Sequence, residues 1–124
     1  MQYLVQLRLS SAARPMTQED GIVFIEQFIF PTLELCKKLQ EEKKIVAGGP
    51  TSGAVALVLI VNAESARELD DLITSLPVWP RMETEVTPLT SFDGRALTLR
   101  PRAEQFKARA RNTAGGQATA KGSA

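Results

Sequence analysis

The sequence contains no histidine, and among its 124 residues there is a single cysteine, Cys36. The missing imidazole excludes a Ser-His-Asp triad, a Cys-His pair and the common histidine-built zinc sites. One thiol cannot form an intramolecular disulfide, which points to a reducing, cytoplasmic compartment. Aromatic residues are few, at 6 %. The longest apolar run, Ala54 to Val61, falls far short of the roughly 20 residues of a spanning helix. The start, Met1-Gln2-Tyr3-Leu4-Val5-Gln6-Leu7-Arg8, alternates polar and apolar residues where a leader would carry a basic stretch and an apolar core. No membrane association is expected. With 44 % hydrophobic and 23 % charged residues, the chain is ordinary globular material of one domain's length.

The net charge of +1 conceals a split. Residues 1–93 hold eight Lys/Arg against thirteen Asp/Glu, and residues 94–124 hold seven Lys/Arg against Glu104 alone. This places a domain at 1–93 and a basic extension at 94–124. Within the extension, 101–111 can form a short helix with Pro101 in its first turn, and disorder is expected from about 112, where bulky apolar residues run out. Its charges are spread thinly around one aromatic residue, Phe106, so nucleic acid is not the expected partner. A solvated tail, or one lying on a neighbouring subunit's acidic surface, fits better.

Tyr3, Val5, Leu7 and Leu9 alternate with Leu4, Gln6 and Arg8, the period of a half-buried strand. Thr17 is placed to cap a helix running to about Lys43, with Ile22, Ile25, Ile29, Leu33, Cys36 and Leu39 as its core stripe. Pro31 should kink it near Gln27. The stretch Ile22 to Phe30 is too apolar for one wet face, so Val23, Phe24, Phe28 and Phe30 call for a second surface. A short strand follows at 44–47, then the loop Gly48-Gly49-Pro50-Thr51-Ser52-Gly53, then a central strand over 54–61. Ser65-Ala66-Arg67-Glu68 is a capping box that opens a second helix with core residues Leu69, Leu72, Ile73 and Leu76. Met82 to Leu89 supplies a last strand, and Pro88 puts it at an edge. The order β-α-β-β-α-β is the ferredoxin-like arrangement: an α+β fold with a four-stranded antiparallel sheet and two helices on one face. The other face lacks cover, which a second copy could supply.

Several side chains are candidates for chemistry. Arg8, sharing a strand face with Gln6, could hold a carboxylate through its planar fork, or pair with an acid on a neighbouring strand. Glu26 sits in an apolar helical stretch, where desolvation would raise a carboxyl toward useful base strength, unless it faces solvent. Trp79, between two prolines, could wall an apolar pocket or anchor an interface. Glu83 and Glu85 share one face of the last strand and read first as charges that guard an exposed edge; paired carboxylates could alternatively divide acid and base roles. Cys36 reads as a buried, inert thiol.

The segment Leu76-Pro77-Val78-Trp79-Pro80-Arg81-Met82-Glu83-Thr84-Glu85-Val86-Thr87-Pro88-Leu89 resembles the muconolactone delta-isomerase family. There too the second helix ends in a Leu-Pro, apolar, aromatic, Pro segment and enters the last strand through Met, an acid and a Glu-Val pair. The resemblance extends over residues 1–90 in element order and spacing. It implies ferredoxin-like protomers paired into a dimeric α+β barrel, hence a homodimer or higher homo-oligomer. It also implies a proton shift that relocates a double bond in an unsaturated lactone, with no metal or organic cofactor. Leu4 and Gln6 stand where the family carries a His and a Lys, which argues against muconolactone itself as substrate. On this reading Gln6, Arg8 and Trp79 hold a small organic acid or lactone in a pocket between sheet and helices, and Glu26 is the base. The alternative is a non-catalytic oligomeric module that binds a metabolite or a protein.

Overall fold

A computed structural model describes residues 1–117 of the chain. Four strands form one antiparallel sheet: β1 (Gln2–Leu9), β2 (Ile45–Pro50), β3 (Ala56–Asn62) and β4 (Met82–Pro88), in spatial order β2-β3-β1-β4. The central pair is thus β1 and β3, and Pro88 lies on an edge strand where its missing N–H interrupts no ladder. Period-two alternation sends Val5, Leu7, Leu57, Leu59 and Val61 into the core, all at most 5 % exposed. Leu39, Leu69, Leu72 and Ile73 from the helices and Leu76 just past α3 meet them, and Tyr3 packs at the margin of this cluster. This is the expected ferredoxin-like α+β fold.

The first helical segment has three parts: α1 (Gln18–Phe24), a π-helical turn over Ile25–Ile29, and α2 (Phe30–Glu41). Thr17 caps it, its hydroxyl accepting from the Asp20 N–H at 3.1 Å. Pro31 cannot donate to Gln27, and the chain answers with an extra residue in the turn, the Phe30 N–H reaching back to the Ile25 carbonyl. One inserted residue turns the helix phase by roughly 100°. The expected core stripe is corrected accordingly. Phe24 is buried and Phe28 half-buried, while Ile22, Ile25 and Leu33 are exposed. Val23 and Phe30 stay at the surface, so the segment still presents more apolar side chain than one chain covers.

Thr32 is the one buried polar side chain among the described residues. Its hydroxyl donates to the Phe28 carbonyl at 2.7 Å and accepts from the Val78 N–H at 3.2 Å, tying the π-turn to the segment before β4. Lys43, just past α2, sits in the left-handed region at φ 63°. β2 runs further than the sequence suggests, taking in Gly48-Gly49-Pro50, with a register shift between Ile45 and Ala47. Gly48 explains this: at φ 127° a Cβ would collide with the Val58 carbonyl oxygen and come within 2.8 Å of the Leu59 Cα.

The second helix, α3 (Ala66–Thr74), opens as expected on Ser65, whose hydroxyl accepts from the Glu68 N–H at 3.1 Å. The Glu68 carboxylate accepts from Glu64 rather than Ser65, closing the box one residue early. Two compact units result, Met1–Leu89 and a second from Thr90, whereas the charge split puts the division at 93/94. The second unit is a single helix, α4 (Phe92–Gln117), longer at both ends than the expected 101–111. Ser91 starts it, its side chain accepting from the Gly94 N–H at 2.9 Å, and Pro101 consequently lies inside. Of the stretch expected to be disordered from about 112, residues 112–117 are helical and 118–124 lie outside the described residues. Among the described residues no helix is long and apolar enough to cross a membrane.

Candidate functional site

Opposite the helices, the sheet shows a face built by the other half of each strand's alternation. Antiparallel register sets Arg8 beside Glu83 on β4 and Ala56 on β3, and Gln6 beside Glu85 and Val58. These six side chains, with Thr51 and Ala54, border a hollow of about 510 Å³ that opens to solvent. Directly opposed residues lie close enough for their side chains to interact. Arg8 nevertheless makes no ion pair within 4.0 Å. The ion pairs among the described residues are Lys44–Glu42 and Lys107–Glu104. A guanidinium and two carboxylates therefore face one space with their hydrogen-bonding capacity unspent. Thr51, which also lines the hollow, buries its hydroxyl oxygen without a hydrogen-bond partner among the described residues.

Arg8 can grip a carboxylate through two parallel N–H bonds, and the Gln6 amide can donate beside it. Glu83 and Glu85 are acceptors and proton carriers on the adjacent strand. Among the described residues no group of three or more His, Cys, Asp or Glu side chains is placed to hold a metal ion.

The structure brings Gln6 and Arg8 together and leaves the other two sequence candidates elsewhere. Glu26 is exposed on the π-turn and does not line the hollow, so the apolar surroundings expected for it are absent in this chain. Trp79 opens the 3₁₀ turn Trp79–Arg81, is 40 % exposed, and does not line the hollow either. Glu83 and Glu85, read from the sequence first as edge charges and only second as an acid/base pair, line the hollow, as does Thr51, which the sequence placed merely in a loop. Period two puts both glutamates on one face, and the register to β1 adds what they face. Cys36 is half-buried on α2, and desolvation pushes its thiol from 9.0 up to about 11. It is a packing residue.

Between sheet and helices, where the sequence suggests a pocket, there is a cleft of about 180 Å³ walled by Ile29, Leu33, Leu57, Val78 and Met82. The Thr32 side chain there is already committed to Phe28 and Val78. Lacking converging polar groups, this cleft cannot orient an anion.

No curated protein matches the chain at a significant level. Among solved structures, the chain is similar to a muconolactone isomerase, with 24 % identity, a TM-score of 0.59, and coverage of 73 % of this chain and 90 % of that one. It is also similar to 5-chloro-2-hydroxyhydroquinone dehydrochlorinase from Burkholderia phenoliruptrix, solved in complex with 2,5-dihydroxybenzoquinone. There the identity is 22 % and the TM-score 0.55, over 75 % of this chain and 97 % of that one. At these identities the likeness establishes the fold. The family model for muconolactone delta-isomerase matches residues 1–94, the sheet and its helices together with the start of α4. By that match the chain belongs to the muconolactone delta-isomerase family.

Proposed function

We propose that the open-face hollow is the active site of a cofactor-independent enzyme that shifts a proton within a small, anionic, unsaturated organic molecule. Arg8 holds the substrate carboxylate, with Gln6 donating alongside. Glu85, beside Gln6, takes a proton from the carbon next to the carbonyl; the electron pair moves into the conjugated system as a dienolate. The same carboxyl, after exchanging with solvent, delivers a proton at the far carbon, and the double bond is relocated with no net oxidation. Glu83, opposite Arg8 in the β1–β4 register, is the second acceptor on that wall. The observation that carries this reading is the meeting of an unpaired guanidinium and two carboxylates without hydrogen-bond partners in one space. Membership in an isomerase family supports it.

A second copy, stacked sheet to sheet, would enclose the hollow and cover Leu4 and Ile60, which one chain leaves partly exposed. The working unit on this reading is a homodimer or a larger homo-oligomer. Leu4 and Gln6 on β1 favour a second reading, a module that binds the same class of molecule without turning it over.

The test is an ultraviolet assay with unsaturated lactone carboxylates, run in D₂O so that turnover writes deuterium into the product. Glu85→Gln is expected to lower kcat/KM by about 10²–10⁴-fold, the usual share of a positioned base. Arg8→Gln should chiefly raise KM. Muconolactone itself is expected to be a poor substrate. Saturable binding with no deuterium uptake for any substrate selects the binding module, and turnover unaffected in both variants removes the hollow as the site.

A further inference from the structure

A second basic site lies around the 3₁₀ turn before β4. Arg81 ends that turn, and its backbone is held on both sides: its N–H donates to Val78 at 2.9 Å and its carbonyl accepts from Ser10 at 3.0 Å. The side chain is half-buried, with the guanidinium 4.6 Å from the centre of the Phe28 ring and 5.9 Å from that of Phe24. Both distances are within cation–π range. A guanidinium held against aromatic faces still has N–H groups free to meet a planar anion. Arg81 borders a pocket of about 240 Å³ together with Arg14. Neither arginine has an acid within 4.0 Å, although Asp20 stands on the same wall. The remaining walls are the apolar side chains of Pro15, Met16, Val23 and Phe24. This pocket shares no lining residue with the open-face hollow, so it stands independently of the function proposed above.

We propose that Arg14 and Arg81 form a binding site for a small organic monocarboxylate, its carboxylate on the two guanidinium groups and its body against the exposed side chains of Met16 and Val23. The Asp20 carboxylate disfavours a more highly charged guest such as phosphate by like-charge repulsion.

The test uses the ¹⁵N-labelled full chain, with benzoate and inorganic phosphate as probes at equal ionic strength. Benzoate is expected to shift the Arg14 and Arg81 side-chain N–H signals saturably, and to move the Phe24 ring signals with the same midpoint. Arg81→Lys, which keeps the charge and loses the fork, should weaken benzoate at least about tenfold. Arg14→Lys should weaken it less, and its backbone spectrum guards against misreading a folding defect. Arg8→Gln, which probes the hollow, should leave the benzoate shifts in place. Phosphate binding as tightly as benzoate overturns the proposal, as does a benzoate response that never saturates or is unchanged in Arg81→Lys.

Discussion

Thr32→Val isolates the one buried polar link between the first helical segment and the approach to β4. Valine has the shape of threonine and nearly its helix propensity, so packing and backbone preference change little. The hydroxyl is lost, however. The Val78 N–H, on a residue only 2 % exposed, then has no acceptor, and the Phe28 carbonyl loses its 2.7 Å donor. Stranding one buried amide costs about 1–3 kcal/mol. Thr32→Ser keeps both bonds and removes one methyl group, worth about 1 kcal/mol. The expected order of stability is therefore wild type, then Ser, then Val, whereas burial of apolar surface alone would put Val first and Ser last. Urea unfolding followed by circular dichroism reads this as falling midpoints at constant m. A Val variant at least as stable as the Ser variant would refute the reasoning, because the Thr32 hydroxyl would then bear no weight.

Two further expectations concern the same helical segment, and one the sheet. Burial raises the Cys36 thiol to about 11 from 9.0, so near pH 8 the folded chain should react with iodoacetamide about a hundredfold more slowly than the urea-unfolded chain; equal rates would contradict that burial. The unfolded thiol ionises first, so this group's contribution to stability is intact below pH 9 and declines as pH rises from 9 toward 11. Lys43→Gly should stabilise the chain by up to about 1 kcal/mol by relieving a side chain held at φ 63°, readable as a raised Tm. Leu59→Ala, at a position 2 % exposed, should cost about 2–5 kcal/mol in the same urea assay, and a loss under 1 kcal/mol would mean that β3 is not central to the core.

Local signals carried much of the architecture. The alternation in Tyr3 to Leu9, the caps at Thr17 and Ser65, and Pro88 at a strand edge are written in neighbouring residues, and strand order follows from them. The π-turn is not so written. A helical wheel assumes one period throughout, and a single extra residue between Phe24 and Phe30 exchanges Ile22 and Ile25 for Phe24 and Phe28 at the core. Glu26 fell with that phase: an apolar neighbourhood along the chain is not an apolar neighbourhood in space. Gln6 and Arg8 could be paired from strand period alone. Adding Glu85 required the register of β1 against β4, and adding Thr51 required knowing that its hydroxyl finds no partner. Both are properties of packing between distant segments.

Gly48 carries a consequence for the hollow it never touches. β2 can press against β3 there only because no side chain intervenes, and the atom a Cβ would strike belongs to Val58. The Val58 side chain, in turn, forms part of the floor under Gln6 and Arg8. The contour of that floor is thus held from beneath by an empty position on a neighbouring strand. A methyl group placed at residue 48 would be felt by a bound molecule as a tilt of the surface on which it rests.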